Sequence, residues 1–530
     1  MNGGARRSLP VLQAGGPAGT AEAGGLAGVL ADAGIGSGAR IAVITLGCDK
    51  NTVDSERILG SLAGAGAVLA STPEEADVLV VNTCGFIEMA KQESIDALLE
   101  AARLKAAGRV RAVVGLGCLV QRYKTELVAE IPEIDLFLGL AETDRLVPEL
   151  ASRGFVDVTG PLMERPLRVL AAAAGPSSHL KISEGCDHGC AFCAIPLMRG
   201  KFRSTPIEVL VREAHELERR GAVELNIVSQ DTTWYGRDWA RLLARGQMPP
   251  VWEPDGESYF MGRPFAAMPN LSADPRREAF ESREEGRVRQ GPIRLAGVGR
   301  SGALPLLLRT LLERTTVPWY RLFYMYPSGI TDELVELMAA EPRILPYLDM
   351  PIQHGSDPVL ARMRRPERRA TIRDRVRLLR SAIPDLTLRT TVIVGFPGET
   401  EDDFGALLDL LEELRFEHLG AFAYSEEEGT PAATMEAAVP PAVRRERLEA
   451  VLDLQRTISL ASNEARIGRV TPVLVEAAAD GSAVGRAPWQ APEVDGVVHV
   501  DRVRSAVRPG ALLEVEITGA DEHDLAARAL

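Results

Sequence analysis

Short apolar runs and helix-like segments alternate along most of the chain. The runs IAVITL (41–46), DVLVV (77–81) and RAVVGL (111–116) are separated by stretches such as 88–106, whose apolar positions recur at helical spacing. Strand–helix alternation of this kind predicts a parallel sheet with helices on its faces. A second series begins at His179. Its strands are predicted at 179–184, 224–229, 321–325, 347–352, 387–394 and 418–424, with helices near 206–220, 303–314, 331–340, 370–382 and 401–414. Six such units predict an open, partial (βα)6 barrel with chemistry at the C-terminal strand ends. A long helix over about 441–467 then leads to 471–519, where VLVEAA, GVVHV and LLEVEIT alternate with Gly and Pro, as in a small all-β barrel. The fold class is α/β, closed by a small all-β domain.

Two stretches break the pattern. Residues 1–38 hold 11 Gly and 8 Ala and predict a disordered extension. Residues 237–292 hold seven prolines and many charges without an apolar period, and predict a disordered insert. Domains are placed at 39–160, 172–466 and 467–530.

Composition narrows the function classes. The 530 residues are 46% hydrophobic and 25% charged, an ordinary globular balance, and no apolar run is long enough for a membrane helix. No compact apolar stretch follows Arg6 and Arg7, so no secretory leader is expected and the location is read as cytoplasmic. Lys and Arg total 60 against 74 Asp and Glu, a net charge of −14. That argues against a surface built to grip nucleic-acid phosphate and suits a basic protein or a small molecule.

The cysteines carry the chemistry. In a reducing compartment the six are not expected to form three disulfides. Cys48, Cys84 and Cys118 each follow the end of a predicted strand, at spacings of 36 and 34 residues. Ends of neighbouring parallel strands share one edge, so these three are predicted to converge there; three unrelated buried thiols are the alternative. Cys186, Cys190 and Cys193 form a tight Cys-x3-Cys-x2-Cys after the first strand of the second series. Three thiolates hold a metal centre but leave one position open. A zinc ion completed by His179 or His188 is the competing reading.

The stretch KISEGCDHGCAFC (181–193) resembles the radical S-adenosylmethionine signature. The resemblance implies a 4Fe–4S cluster on Cys186, Cys190 and Cys193, with the cofactor chelating the open iron and yielding a 5′-deoxyadenosyl radical. It also implies that Phe192 packs on the adenine. Gln230, in Ser229-Gln230-Asp231, and Gln353, in Pro351-Ile352-Gln353-His354, end the second and fourth strands and are candidates to hold ribose and the methionine tail. Gly395, in 394–400, ends the fifth and is a candidate for close backbone approach to the ligand. A plain turn capped by Thr400 explains the same segment equally well.

The order of a three-cysteine domain, a radical domain and a small terminal barrel resembles the methylthiotransferase family, over about residues 40–525. The resemblance implies a second 4Fe–4S cluster on Cys48, Cys84 and Cys118 that carries the transferred sulfur, and a TRAM-like, OB-type terminal barrel. One S-adenosylmethionine would methylate that sulfur and a second would supply the radical, so no side-chain general base is assigned. One branch of the family modifies a transfer RNA adenosine; the other modifies the β-carbon of an aspartate of ribosomal protein S-twelve. The segments LGCDKNTVDSE (46–56), GRAPWQAPEVDG (485–496) and 519–525 resemble the ribosomal branch, although Trp489-Gln490 departs from its usual small and acidic residues. Residues 471–530 hold ten acids and five arginines, which suits a basic ribosomal protein better than RNA. Glu493 and Asp495 are expected to face that partner. A reduced flavodoxin or ferredoxin-type protein is the implied electron donor. A non-catalytic iron–sulfur scaffold is the reading from another class.

Overall fold

The structure, a computed structural model, describes residues 38–157, 168–169, 175–243, 259–260, 263–264, 302–504 and 506–530. The expected extension over 1–38 therefore lies outside the described residues except for Gly38, as does most of the expected insert over 237–292. The described residues divide into two compact units. The first takes 38–157, 168–169, 194–201, 259–260 and 263–264; the second takes 175–193, 202–243 and the residues from 302 onward.

In the first unit the strands are β1 (Arg40–Thr45), β2 (Val68–Leu69), β3 (Val78–Thr83), β4 (Ala112–Gly117) and β5 (Leu136–Gly139), joined by α1 (Asp49–Gly64), α2 (Glu88–Ala106) and α3 (Cys118–Glu130), with α4 (Leu146–Ser152) following. They form one sheet of order β2-β1-β3-β4-β5, and every pairing is parallel. A parallel sheet covered on both faces reads as continuous apolar runs, which is why β1, β3 and β4 stand out in the sequence. Successive side chains still alternate. Ile41, Val43, Val78, Val80 and Val114 pack on one face with Ile58 and Leu62, while Ala42, Ile44, Leu79, Val81 and Val113 pack on the other with Leu98 and Ala101.

The second unit opens with β6 (Ser177–Lys181) and β7 (Ser183–Glu184). The chain then passes through α5 (Ile195–Arg199), which belongs to the first unit, and returns at β8 (Arg203–Ser204), which pairs with β7. The series continues with α6 (Ile207–Arg219), β9 (Glu224–Val228) and α7 (Arg237–Leu243); a short antiparallel pair, β10 (Tyr259–Phe260) and β11 (Arg263–Pro264), follows in sequence. Next come α8 (Leu304–Arg314), β12 (Trp319–Leu322), α9 (Asp332–Ala340), β13 (Ile344–Asp349), α10 (Asp357–Arg362), α11 (Arg369–Ala382), β14 (Thr387–Val394), α12 (Glu401–Leu414), β15 (His418–Ala423) and α13 (Pro441–Glu464). The sheet runs β6-β9-β12-β13-β14-β15, in chain order and parallel throughout. It does not close, which is the partial barrel expected. The interruption placed at 237 begins later than that: Arg237–Leu243 is helical, and Trp239 is buried edge-on against Tyr235 at 5.1 Å.

A closed barrel ends the chain, built from β16 (Val470–Ala479), β17 (Ser482–Arg486), β18 (Val498–Asp501), β19 (Leu512–Ala520) and β20 (Leu525–Ala529). Its core is Val473, Val475, Val498, Val500, Val515, Ile517 and Leu525. The β17–β18 connection plugs the N-terminal end of the six-stranded sheet. Arg486 pairs with Glu224, the first residue of β9, which is also held by Arg321 of β12 at 2.7 Å. Arg321 donates to the Pro488 carbonyl at 2.8 Å, and Tyr347 of β13 donates to Asp495 at 2.8 Å. Burial alone would push the Glu224 carboxyl up, but the two guanidiniums outweigh it and bring it down to about 2. The expectation that Asp495 faces a partner is thus corrected: its carboxylate is buried against Arg389 and Tyr347, and Glu493 alone of the two is exposed. With its N-terminal end covered, the sheet keeps its opposite end for chemistry.

Candidate functional site

In the first unit the three cysteines stand at neighbouring strand ends. Thr45 of β1 is level with Asn82 of β3, and Thr83 of β3 is level with Gly117 of β4. Cys84 and Cys118 come next in the chain after that last pair, and Cys48 ends the loop leading from β1 into α1. Gly47 has φ 93°, and a Cβ there would lie 2.8 Å from the Cys84 sulfur; only glycine lets the Cys48 loop come so close. The Ser94 hydroxyl fixes Cys84 by accepting from its N–H and donating to its carbonyl, both at 2.9 Å.

A buried polar network underlies the triad. Asn51 donates to the carbonyls of Leu46 (2.8 Å) and Thr83 (3.1 Å), tying the β1 and β3 ends together. Its Oδ1 accepts from Arg199 at 2.7 Å and lies 3.9 Å from the Cys118 sulfur. Arg199, from α5, also pairs with Asp54 at 3.1 Å, and both side chains are buried. Burial pushes the Cys118 thiol up to about 12; Arg199 opposes this, while Cys48 and Cys84 add to it. Burial likewise raises Cys84, with Cys48 adding. Cys84 thus feels Cys48, and Cys118 feels both, as thiols gathered at one sheet edge should.

The second triad follows β7 in the second unit. Cys186 is buried, Cys190 and Cys193 partly so, and the Cys193 N–H donates to the Cys190 carbonyl at 3.2 Å. Burial pushes the Cys186 thiol up to about 12, opposed by the His188 N–H and reinforced by Cys193, Asp231 and Cys190. His188 is held through Nε2 by Asp231 at 2.6 Å, and His179 sits in the middle of β6. Among the described residues no three His, Cys, Asp or Glu side chains close on a single metal ion. Each triad offers three thiols, one short of the four ligands of structural zinc, and an all-thiol set suits the irons of a 4Fe–4S cluster; Cys84, Cys118 and Cys186 are buried, Cys190 and Cys193 partly so, and Cys48 is exposed.

The proposed cofactor contacts divide. Phe192 packs against the cluster of Ala191, Val359, Met363, Phe396 and Tyr424, which joins the cysteine loop to the end of β14. Gln230 places a buried Oε1 without a hydrogen-bond partner at the end of β9, while its Nε2 reaches Glu184 at 3.5 Å; an orphaned acceptor there suits a ligand hydroxyl or amine. Gln353 has φ 70°, a strained conformation for a residue with a side chain, and is clamped by backbone bonds to Thr391 and Ile393. Gly395 has a packing neighbour of its own. Its φ is 71°, and a Cβ there would lie 2.4 Å from Arg444 of α13, so the packing of α13 by itself calls for glycine at this strand end.

Family models match in chain order: Uncharacterized protein family UPF0004 over 40–139, the Radical SAM superfamily over 180–254 and 293–411, and the TRAM domain over 467–530. The ribosomal protein uS12 methylthiotransferase RimO of Desulforudis audaxviator (strain MP104C) is 42% identical over 497 residues, covering 93% of this chain and 97% of that protein. The protein of the same name from Anaeromyxobacter sp. (strain K) is 43% identical and covers 92% of this chain and 93% of its own. The chain belongs to the RimO family. It is a radical S-adenosylmethionine methylthiotransferase, with an iron–sulfur cluster and S-adenosylmethionine as cofactors. Among solved structures, the radical S-adenosylmethionine methyltransferase TsrM from Kitasatospora setae aligns over 89% of this chain and 81% of its own, with a TM-score of 0.47 and 14% identity.

Sequence reasoning missed Asn51, Asp54, Arg199 and Tyr326. Asn51 and Asp54 are one helical turn apart in a segment noted only as a branch marker, and that spacing on α1 puts them on one face. Arg199 carried no local signal, because its partners are 148 and 145 residues away. Tyr326, following β12, places its hydroxyl 3.4 Å from the Cys190 sulfur.

Proposed function

We propose that the chain methylthiolates the β-carbon of an aspartate of ribosomal protein uS12. The observation that carries the reading is the pair of cysteine triads, each at the C-terminal edge of a parallel sheet, in a chain whose uS12-modifying relatives align with it over 92–93% of its length. When bound, a 4Fe–4S cluster on each triad and S-adenosylmethionine supply the radical and the sulfur.

The chain's own residues position and shield. Cys186, Cys190 and Cys193 would hold the cluster that binds S-adenosylmethionine, with Phe192 available to the adenine, Gln230 and Gln353 to the ribose and methionine portions, and the Gly395 backbone to the ligand. Cys48, Cys84 and Cys118 would hold the auxiliary cluster, with Asn51 and Arg199 bracing the strand ends that carry them. Cys84, Cys118 and Cys186 are buried and would shield one side of each cluster, while Cys48 is exposed and leaves the auxiliary site open on its side. No side chain needs to move a proton in the C–H step, and no paired carboxylate or Ser-His-Asp arrangement is assigned to one. The terminal barrel offers exposed acids, among them Asp480, Glu493, Asp501, Glu514 and Glu522, toward a basic ribosomal protein. A reduced flavodoxin or ferredoxin-type protein is the proposed electron donor.

The test is mass spectrometry of uS12 from a strain lacking the gene and from the complemented strain. The expected result is a methylthio mass increment on one aspartate only when the gene is present. An unmodified protein in both strains, with a methylthio group missing instead from transfer RNA, would overturn the assignment.

A further inference from the structure

Four side chains that come together only in the folded second unit stack beside the second cysteine triad. The Tyr326 ring lies face to face with His188, at 4.0 Å between centroids and 4° between planes. On the other side the Arg365 guanidinium lies 3.6 Å from the Tyr326 centroid. His188 is braced by Trp234 at 4.2 Å and by Asp231, whose carboxylate is fully buried and also caps the turn at 232–234. Held this way the phenol cannot swing, and its hydroxyl stands 3.4 Å from the Cys190 sulfur.

We infer that Tyr326 tunes the radical-generating cluster by donating a hydrogen bond to the Cys190 sulfur. The inference rests on Cys190 being a ligand of that cluster, as proposed above. A thiolate on iron has no proton to give, so in the loaded site the hydroxyl is the donor. A bond to a cluster sulfur favours the more electron-rich reduced state and so raises the reduction potential. The cation above the ring strengthens the effect, because Arg365 withdraws electron density from the phenol and makes its O–H a better donor. Tyr326 is a positioning residue: it touches a ligand of the cluster and no reacting atom.

The experiment uses the full chain with Cys48, Cys84 and Cys118 changed to Ala, so that one cluster remains, and follows its midpoint potential by electron paramagnetic resonance. Tyr326→Phe should keep full iron content and shift the reduced-to-oxidised ratio about tenfold toward oxidised at a fixed potential, about 59 mV for one electron. Site-specific 3,5-difluorotyrosine at 326 keeps ring and hydroxyl while making the phenol a stronger acid, and should move the potential the opposite way. That second protein decides the matter if Tyr326→Phe loses iron. An unchanged potential at full iron content, or a shift of both proteins in one direction, overturns the inference. Failure of the underlying reading looks different: the background protein would bind no cluster, or would keep one after Cys186, Cys190 and Cys193 are also removed.

Discussion

Asp495 of the terminal barrel lies 2.6 Å from Arg389 of β14, with its carboxylate 1% exposed. Two residues earlier Glu493 is exposed, so neighbouring acids of one loop do different work. Asp495→Lys should destabilise the protein by about 3–5 kcal/mol, because it leaves Arg389 facing a second buried cation. Glu493→Lys should leave the melting temperature unchanged within error and weaken uS12 binding, chiefly through the on-rate and most at low salt. Thermal melts and a salt-dependent binding titration of the two single variants check both halves.

The Arg486–Glu224–Arg321 group predicts a pH dependence. Glu224 titrates at about 2 in the folded chain against an ordinary 4.5, so its contribution to stability is complete above about 4.5 and is lost as pH falls toward 2. Arg486→Met should cost about 2–5 kcal/mol at pH 7. The gap between wild type and variant should narrow between pH 4.5 and 2. Denaturant titrations at a series of pH values give the curve; a gap that widened on acidification would contradict it.

Trp239 marks where the second domain's interruption cannot yet have begun. Its indole is buried against Tyr235, while neighbouring Asp238 accepts from the Ser204 N–H at 2.9 Å. Trp239→Ala should cost about 3–5 kcal/mol. A deletion that starts at 237 should therefore fold poorly, whereas one starting after Leu243 keeps this contact. Melting curves of both deletions separate the cases.

Arg199 predicts a selective effect on the first triad. Arg199→Met removes the cation facing Asn51 and Asp54. Iron bound by the first triad should fall severalfold, while cofactor cleavage supported by the second triad persists. Iron analysis beside a 5′-deoxyadenosine assay checks the split.

The strands carrying the chemistry were legible because parallel strands buried on both faces leave unbroken apolar runs, and because cysteines just past those runs had to share an edge. Short pieces were not: β5 is four residues between helices, and β17 and β20 are five each, too brief for alternation to rise above the surrounding Ala and Gly. The Arg444 side chain packed against Gly395 was not legible, since a glycine required by a distant helix looks in sequence like one that makes room for a ligand. Trp489 and Gln490, which depart from the family pattern, turn out to be buried in the docking loop, where Gln490 accepts from the Ala487 N–H at 3.0 Å. Arg199 and Tyr326 owe their roles to partners far away in the chain, which no local pattern reveals.

The division of labour between the triads is tested most directly by following 5′-deoxyadenosine and the uS12 peptide mass in one anaerobic reaction. With Cys48, Cys84 and Cys118 changed to Ala, the account predicts 5′-deoxyadenosine but no methylthio increment on the peptide; with Cys186, Cys190 and Cys193 changed to Ala, it predicts neither. Methylthiolated peptide from the first variant, or 5′-deoxyadenosine from the second, would contradict it.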